Sequence, residues 1–358
     1  MTKKTGIRIT ITIVLVILVG IVGYSSKKNS EKAVVNRLAN ALIENDQTVV
    51  KQHMPSYSNK KKISKAARLA FQKQFKTMKK EKVVDFLQTE ENFVIKKSTS
   101  YFKPAKIYPN PRFLVLELPK GSELHAVLES EEISGKHEDK WNKYTFGPLV
   151  PGNYQLTYTI VHPKFGSKNV KKQIDLEEKD QRFSVKETSL YEGNAAFQKH
   201  LLSSAVNYFN TFNDAVRSGF DMSKLVASKK YKETLQSGFD ELKPFIERYD
   251  QEFQTLEING DSISVNAAQT KVQLDLYIDM KRSMKLVEEV GADEALISDK
   301  QNAIAMFTFD NEEKKWLMDD LDFGTYQQAP EKWEHTERYR AKHPKKAHWD
   351  KAEGENVL

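Results

Sequence analysis

Hydrophobic and polar positions divide the chain into stretches with different periods. Residues Ile9–Val22 read ITITIVLVILVGIV, an apolar run with no polar face. Flanked by Ile7 and Tyr24, it is about long enough to span a bilayer as a helix. Val35, Leu38 and Leu42 then recur at helical spacing, as do Ile63, Ala67, Phe71, Phe75 and Met78. Pro55-Ser56 and the run Tyr57-Ser58-Asn59 mark a break between these two predicted helices. From residue 93 the period shortens. Phe113–Leu118, Ala126–Leu128 and Tyr144–Phe146 predict strands. Pro151-Gly152 predicts a turn, after which Tyr154, Leu156, Tyr158 and Ile160 alternate onto one face. That is the pattern of a sandwich strand with one buried side. Beyond a linker near 188–194, Phe197, Leu201, Ala205, Tyr208, Phe209 and Phe212 predict a strongly amphipathic helix. A second helix is predicted over about Lys229–Arg248, bent or ended by Pro244. Strands are predicted over Phe253–Ile258 and Ser262–Val265 about an Asn259-Gly260 turn, and over Lys271–Met280, Ala303–Phe309 and Trp316–Asp320. Helices followed by a meander give an α+β multidomain fold class.

The flanks decide what the apolar run is. A cleaved signal peptide has a shorter core and a small-x-small site. The length of this run and the abrupt Lys27-Lys28 favour an uncleaved anchor. Lys3, Lys4 and Arg8 precede it, while Lys27, Lys28, Lys32 and Arg37 follow, so the positive-inside rule is nearly balanced. Long regions translocate largely regardless of charge, which favours a cytoplasmic N-terminus and an extracellular bulk. The expected organisation is a cytoplasmic tail at 1–8, a transmembrane anchor at 9–26 and a basic helical juxtamembrane module at 27–92. A β-sandwich-like region at 93–188, a helix-plus-meander domain at 189–327 and a polar disordered tail at 328–358 complete it.

Composition narrows the chemistry. The 358 residues contain no cysteine, which excludes disulfides, thiolate metal sites, a catalytic thiol and lipid attachment through cysteine. The formal charge of +7 suits an anionic partner. It concentrates in Lys60, Lys61, Lys62, Lys65, Arg68, Lys73, Lys76, Lys79, Lys80 and Lys82, opposed only by Glu81. The ordinary account is a solvated helix face; the sharper one is a dock for an anionic polymer or for lipid headgroups. Outside the cell, nucleic acid is not an available partner, and no recognition motif for it is present. No phosphate-binding glycine loop, nucleophile elbow or zinc-protease motif occurs, so neither an enzyme nor a cofactor is expected. Ser58–Lys61 matches S-x-x-K without its partner motifs. Asp275, Tyr277 and Asp279 share the polar face of a strand, facing solvent or, in an enzymatic alternative, a pocket. His335, His343 and His348 match no standard metal spacing, and no metal site is expected.

The order of these parts resembles the TcaA/YvbJ family of Gram-positive membrane proteins, named after teicoplanin-resistance-associated members. The anchor Ile9–Val22, Tyr101-Phe102-Lys103-Pro104, Pro151-Gly152-Asn153-Tyr154 and the helix-plus-meander from Ala195 carry the resemblance. It implies an NTF2-like fold for 189–327. It also implies a cell-envelope protein linked to the wall and to glycopeptide response, whose partners would be the membrane, teichoic acid or peptidoglycan, or another envelope protein. Many members carry a cysteine-rich zinc ribbon before the anchor; with no cysteine here, roles that depend on the ribbon do not transfer. Two alternatives stay open: an extracellular sensor whose cone holds a ligand, and a hydrolase or isomerase using that cone.

Overall fold

The computed structural model describes residues 24–100, 102–287, 295–323 and 330–352, with backbone alone for 295–300. The expected anchor, apart from Tyr24–Ser26, lies outside the described residues. Among those described, no helix is long and apolar enough to cross a membrane. The chain forms two compact units, Met1–Ile160 with Asn169–Val185, and Val161–Lys168 with Lys186–Leu358.

In the first unit, residues 24–29 are helical and α1 follows at Glu31–Ile43, its N-cap Ser30 accepting the Ala33 N–H at 3.4 Å. Val34, Val35, Leu38 and Leu42 are buried, as their spacing predicts. Next come α2 (Gln47–His53, capped by Asp46), α3 (Lys65–Lys73, capped by Ser64) and α4 (Lys80–Leu87). The single helix predicted through Ile63–Met78 is therefore divided. Ile63 precedes the cap, Phe75 lies in a turn and Met78 is 42 % exposed. Aromatic packing accounts for the turn. The ring centroids of Phe71–Phe75 (4.9 Å), Phe75–Phe86 (5.6 Å) and Phe86–Phe93 (5.3 Å) form one chain, which a straight helix cannot assemble.

Strands β1 (Phe93–Lys96) and β2 (Lys106–Pro109) pair antiparallel. The strands that follow are β3 (Arg112–Glu117), β4 (Glu123–Leu128), β5 (Glu131–Glu132), β6 (Gly135–Glu138), β7 (Lys143–Leu149), β8 (Asn153–His162), β9 (Gly166–Asp175) and β10 (Gln181–Ser184). They form two four-stranded sheets, ordered β10-β3-β7-β6 and β5-β4-β8-β9. Buried alternates Leu114, Leu116 and Phe146 of one and Ala126, Leu128, Tyr154, Leu156 and Ile160 of the other supply a sandwich core. The boundary anticipated at 92/93 runs through this unit. The Tyr57 hydroxyl donates to Pro148 O at 2.6 Å, and Lys73 Nζ meets Glu131 at 2.6 Å and Glu129 O at 2.8 Å.

The second unit begins with α5 (Ala195–Arg217), on which all six predicted apolar positions are buried. Helix α6 (Lys229–Leu242) ends before Pro244, so the prediction to Arg248 overran: Ile246 already opens β11 (Ile246–Asn259). Strands β12 (Ser264–Val265), β13 (Lys271–Leu286), β14 (Ala295–Asp310), β15 (Lys315–Phe323), β16 (Thr336–Arg340) and β17 (Lys346–Asp350) complete one seven-stranded sheet. Asn259-Gly260 does not make the predicted hairpin. Asn259 Oδ1 accepts the Asp261 N–H, a helical turn follows, and the long partner of β11 is β13. The expected disordered tail is also corrected. Strands β16 and β17 both pair antiparallel with β11, and Ala347 and Trp349 are buried between exposed polar neighbours.

Val161–Lys168 is the tip of the β8–β9 hairpin, yet it belongs to this second core. Phe165 meets Phe197 at 5.1 Å, and the Trp316 indole donates to Lys164 O at 2.8 Å. The Asn194 amide donates to Phe165 O at 3.0 Å while its Oδ1 caps α5.

Candidate functional site

The basic run does not stay together. Lys62, Lys65 and Arg68 line an open groove of about 1170 Å3. Lys60 and Lys61 occupy the preceding turn, closed by Tyr57 N–H donating to Lys61 O at 2.9 Å, with Lys60 in the left-handed region at φ 69°. Lys73 is half-buried against Glu131 and serves the fold. Lys76 sits in the turn after α3, while Lys79, Lys80 and Lys82 belong to the start of α4. The reading in which the apolar stripe Ile63–Met78 leaves most of this charge to the other faces of a helix fails because the chain turns between α3 and α4.

In exchange the fold recruits two cations from elsewhere. The groove is walled by α2 through Gln47, Thr48, Lys51 and Gln52, by the start of α3, and by Lys106 of β2. Its lining thus holds Lys51, Lys62, Lys65, Arg68 and Lys106 and, among the described residues, no carboxylate. Lys51 and Lys106 are 55 positions apart, so no linear scan pairs them; only the β2 register places Lys106 there. Four of the five are exposed lysines, and Arg68 is half-buried. Burial lowers the Arg68 pKa, but a guanidinium stays charged at any physiological pH. Arg68 Nε is buried without a hydrogen-bond partner, which leaves a donor uncommitted beside the groove.

At the end of α2, His53 is buried and its pKa is lowered, first by burial and then by the Arg37 and Lys106 charges. A neutral imidazole there adds no charge of its own at neutral pH. Burial also raises the Tyr57 phenol well above its ordinary value, so it remains a donor to Pro148. The arrangement is a concave, cation-lined surface that can receive an extended polyanion.

In the second unit, Val272, Leu274, Leu276, Ile278 and Met280 are buried. Asp275, Tyr277 and Asp279 occupy the opposite face of β13 and are half-exposed. Burial raises the Asp275 pKa, and its Oδ2 accepts from Asn259 Nδ2 at 3.4 Å. Large side chains fill the core of this unit: Phe197 against Trp316 (5.9 Å), Phe209 against Phe253 (5.7 Å) and Phe220 against Tyr249 (5.6 Å). Asp261, Glu334 and His335 bring ligand atoms within 4.8 Å of one another. All three are exposed, and His335 Nδ1 lies 2.7 Å from Asp261 Oδ1. Sequence spacing missed the trio because Asp261 is 74 positions from His335.

No curated protein matches the chain in sequence. Among solved structures, it is similar to the intermembrane space region of the chloroplast protein ARC6, at 11 % identity and a TM-score of 0.30, over 35 % of this chain and 95 % of that one. Residues 201–322 match the family model described as the YvbJ NTF2-like domain. That range runs from within α5 to within β15, so the helix-plus-meander core of the second unit is similar to the NTF2-like domain of YvbJ.

Proposed function

We propose that this chain is a non-enzymatic, membrane-anchored protein of the cell envelope, with its bulk outside the cell, that holds an anionic wall polymer in the groove of its first unit. The observation that supports this reading is the convergence of Lys51, Lys62, Lys65, Arg68 and Lys106 without a facing carboxylate. A polyanion laid along such a surface gains from several weak contacts at once, each of them screened by salt. Teichoic acid is the polyanion that a Gram-positive wall offers. An influence on glycopeptide response would follow from occupying that polymer.

The test is binding of the full chain to isolated walls with and without teichoic acid, from about 0.05 to about 0.5 M salt, a range over which the Debye length shrinks roughly threefold. Binding should need teichoic acid and weaken steeply with salt. Changing Lys62, Lys65, Arg68 and Lys106 together to Gln should weaken it at least about tenfold, a loss of about 1.4 kcal/mol. The variant K76Q/K79Q/K82Q, which removes three cations outside the groove, should bind as the parent does. Equal losses in the two variants would sink the groove assignment.

A further inference from the structure

A second cationic pocket lies where the helical residues 24–29 meet the connection between β1 and β2. Ser26, Asn29, Ser30, Glu31 and Lys32 form one wall, and Lys97, Ser98, Ser100 and Lys103 the other, around about 460 Å3. The walls are tied together, since the Ala105 N–H donates to Asn29 O at 3.1 Å. The connection is itself shaped by serine. Ser98 Oγ accepts the Ser100 N–H at 3.1 Å and Ser100 Oγ accepts the Phe102 N–H at 3.4 Å, in the connection whose Lys97 and Lys103 both line the pocket. Three lysines face one carboxylate, Glu31, whose pairing with Lys97 is long (3.8 Å) and exposed.

Position gives the pocket its meaning. Tyr24 follows the apolar run directly and is 70 % exposed; Phe102, on the other wall's connection, is 61 % exposed. Aromatic side chains at such places mark a membrane–water interface. Along the helix, Ser26 and Asn29 stand about 3 and 7.5 Å beyond Tyr24. The headgroup layer is roughly 5–8 Å deep, the difference between hydrocarbon and total bilayer thickness on each side. On the anchored reading the wall formed by Ser26 and Asn29 thus lies at the depth of the headgroup layer, and Lys32, at most about 12 Å beyond Tyr24, has a side chain long enough to snorkel back toward the phosphates.

We propose that this pocket binds the headgroup of an anionic phospholipid, its phosphate between Lys32, Lys97 and Lys103 and its glycerol hydroxyls toward Ser26 and Ser98. The proposal rests on the anchored reading given above. It is separate from the wall-polymer groove, with which it shares no residue.

The experiment uses the full chain incorporated into vesicles of phosphatidylcholine with a minor share of phosphatidylglycerol. Flotation with pure phosphatidylcholine vesicles reports the anchor. The lipids retained after mild detergent extraction, quantified by mass spectrometry, report the pocket. The parent chain should float, and should retain phosphatidylglycerol enriched about tenfold over bulk. K32Q/K97Q/K103Q should float equally well and lose the enrichment, whereas K32R/K97R/K103R should keep it. All three lysines are exposed, so the exchange spares the core. Flotation with lipids retained at the bulk ratio would overturn the pocket alone. Failure to float would overturn the anchored reading and the pocket with it. Enrichment abolished by soluble glycerol phosphate would mark a site for free phosphodiesters and overturn the lipid assignment.

Discussion

Lys73 shows how far a charge run misleads when it is read as one object. Its ammonium meets Glu131 at 2.6 Å and the Glu129 carbonyl at 2.8 Å, with both side chains less than a third exposed. Changing Lys73 to Gln should cost about 1–2 kcal/mol of stability by urea denaturation, since a half-buried charged hydrogen bond exceeds a surface pair. Wall binding should not change. His53 makes a prediction in pH. Its folded pKa lies below the ordinary 6.5, so the unfolded chain takes up its proton more readily. The stabilisation is whole above pH 6.5 and is lost as the pH falls through the folded value. The melting temperature of the parent should therefore drop between about pH 7.5 and pH 5, and His53→Gln should lack that part of the drop. An unchanged pH slope in the variant would show that other groups carry it.

At the scale of elements, Trp349 tests whether the final strands belong to the fold. It is 8 % exposed and meets Phe220 at 5.2 Å, while Arg217 donates to the Lys346 carbonyl through Nε (3.0 Å) and Nη2 (2.8 Å). Trp349→Ala should destabilise by about 3–5 kcal/mol, as for other large core truncations. A cost within a few tenths of a kcal/mol would mean that β17 is dispensable. The same strand shows where legibility ended. Regular periods were readable: α5 buried all six of its predicted positions, and β8 and β13 alternated as written. Strands β16 and β17 were hidden because segments of five residues, TERYR and KAHWD, carry only one or two apolar positions each, too few to signal alternation. Their order comes from the open edge of β11, a partner that lies some 80 to 100 positions upstream. The candidate groove was half-legible for a similar reason. Lys62, Lys65 and Arg68 stood in a visible run, whereas Lys51 and Lys106 acquired their role only through tertiary placement.

Over the whole molecule, the net charge of +7 is unevenly used. Cations without facing carboxylates gather in the first unit's groove, whereas exposed cations of the second unit are often paired, as in Arg338–Glu257 (2.8 Å), Lys285–Glu247 (2.5 Å) and Lys271–Asp319 (3.0 Å). The first unit should therefore account for most of the salt-sensitive adhesion, and the second for little. The division of the chain has one more outcome, for descent. Because Phe165 and Lys164 reach the second core from inside the β8–β9 hairpin, no uninterrupted stretch of gene encodes that core by itself. A recombination event that carried only the codons from Lys186 onward would leave the Trp316 indole without its acceptor and Phe197 without the Phe165 ring. The two halves are thus expected to travel through lineages together, with the hairpin as the stitch that discourages shuffling.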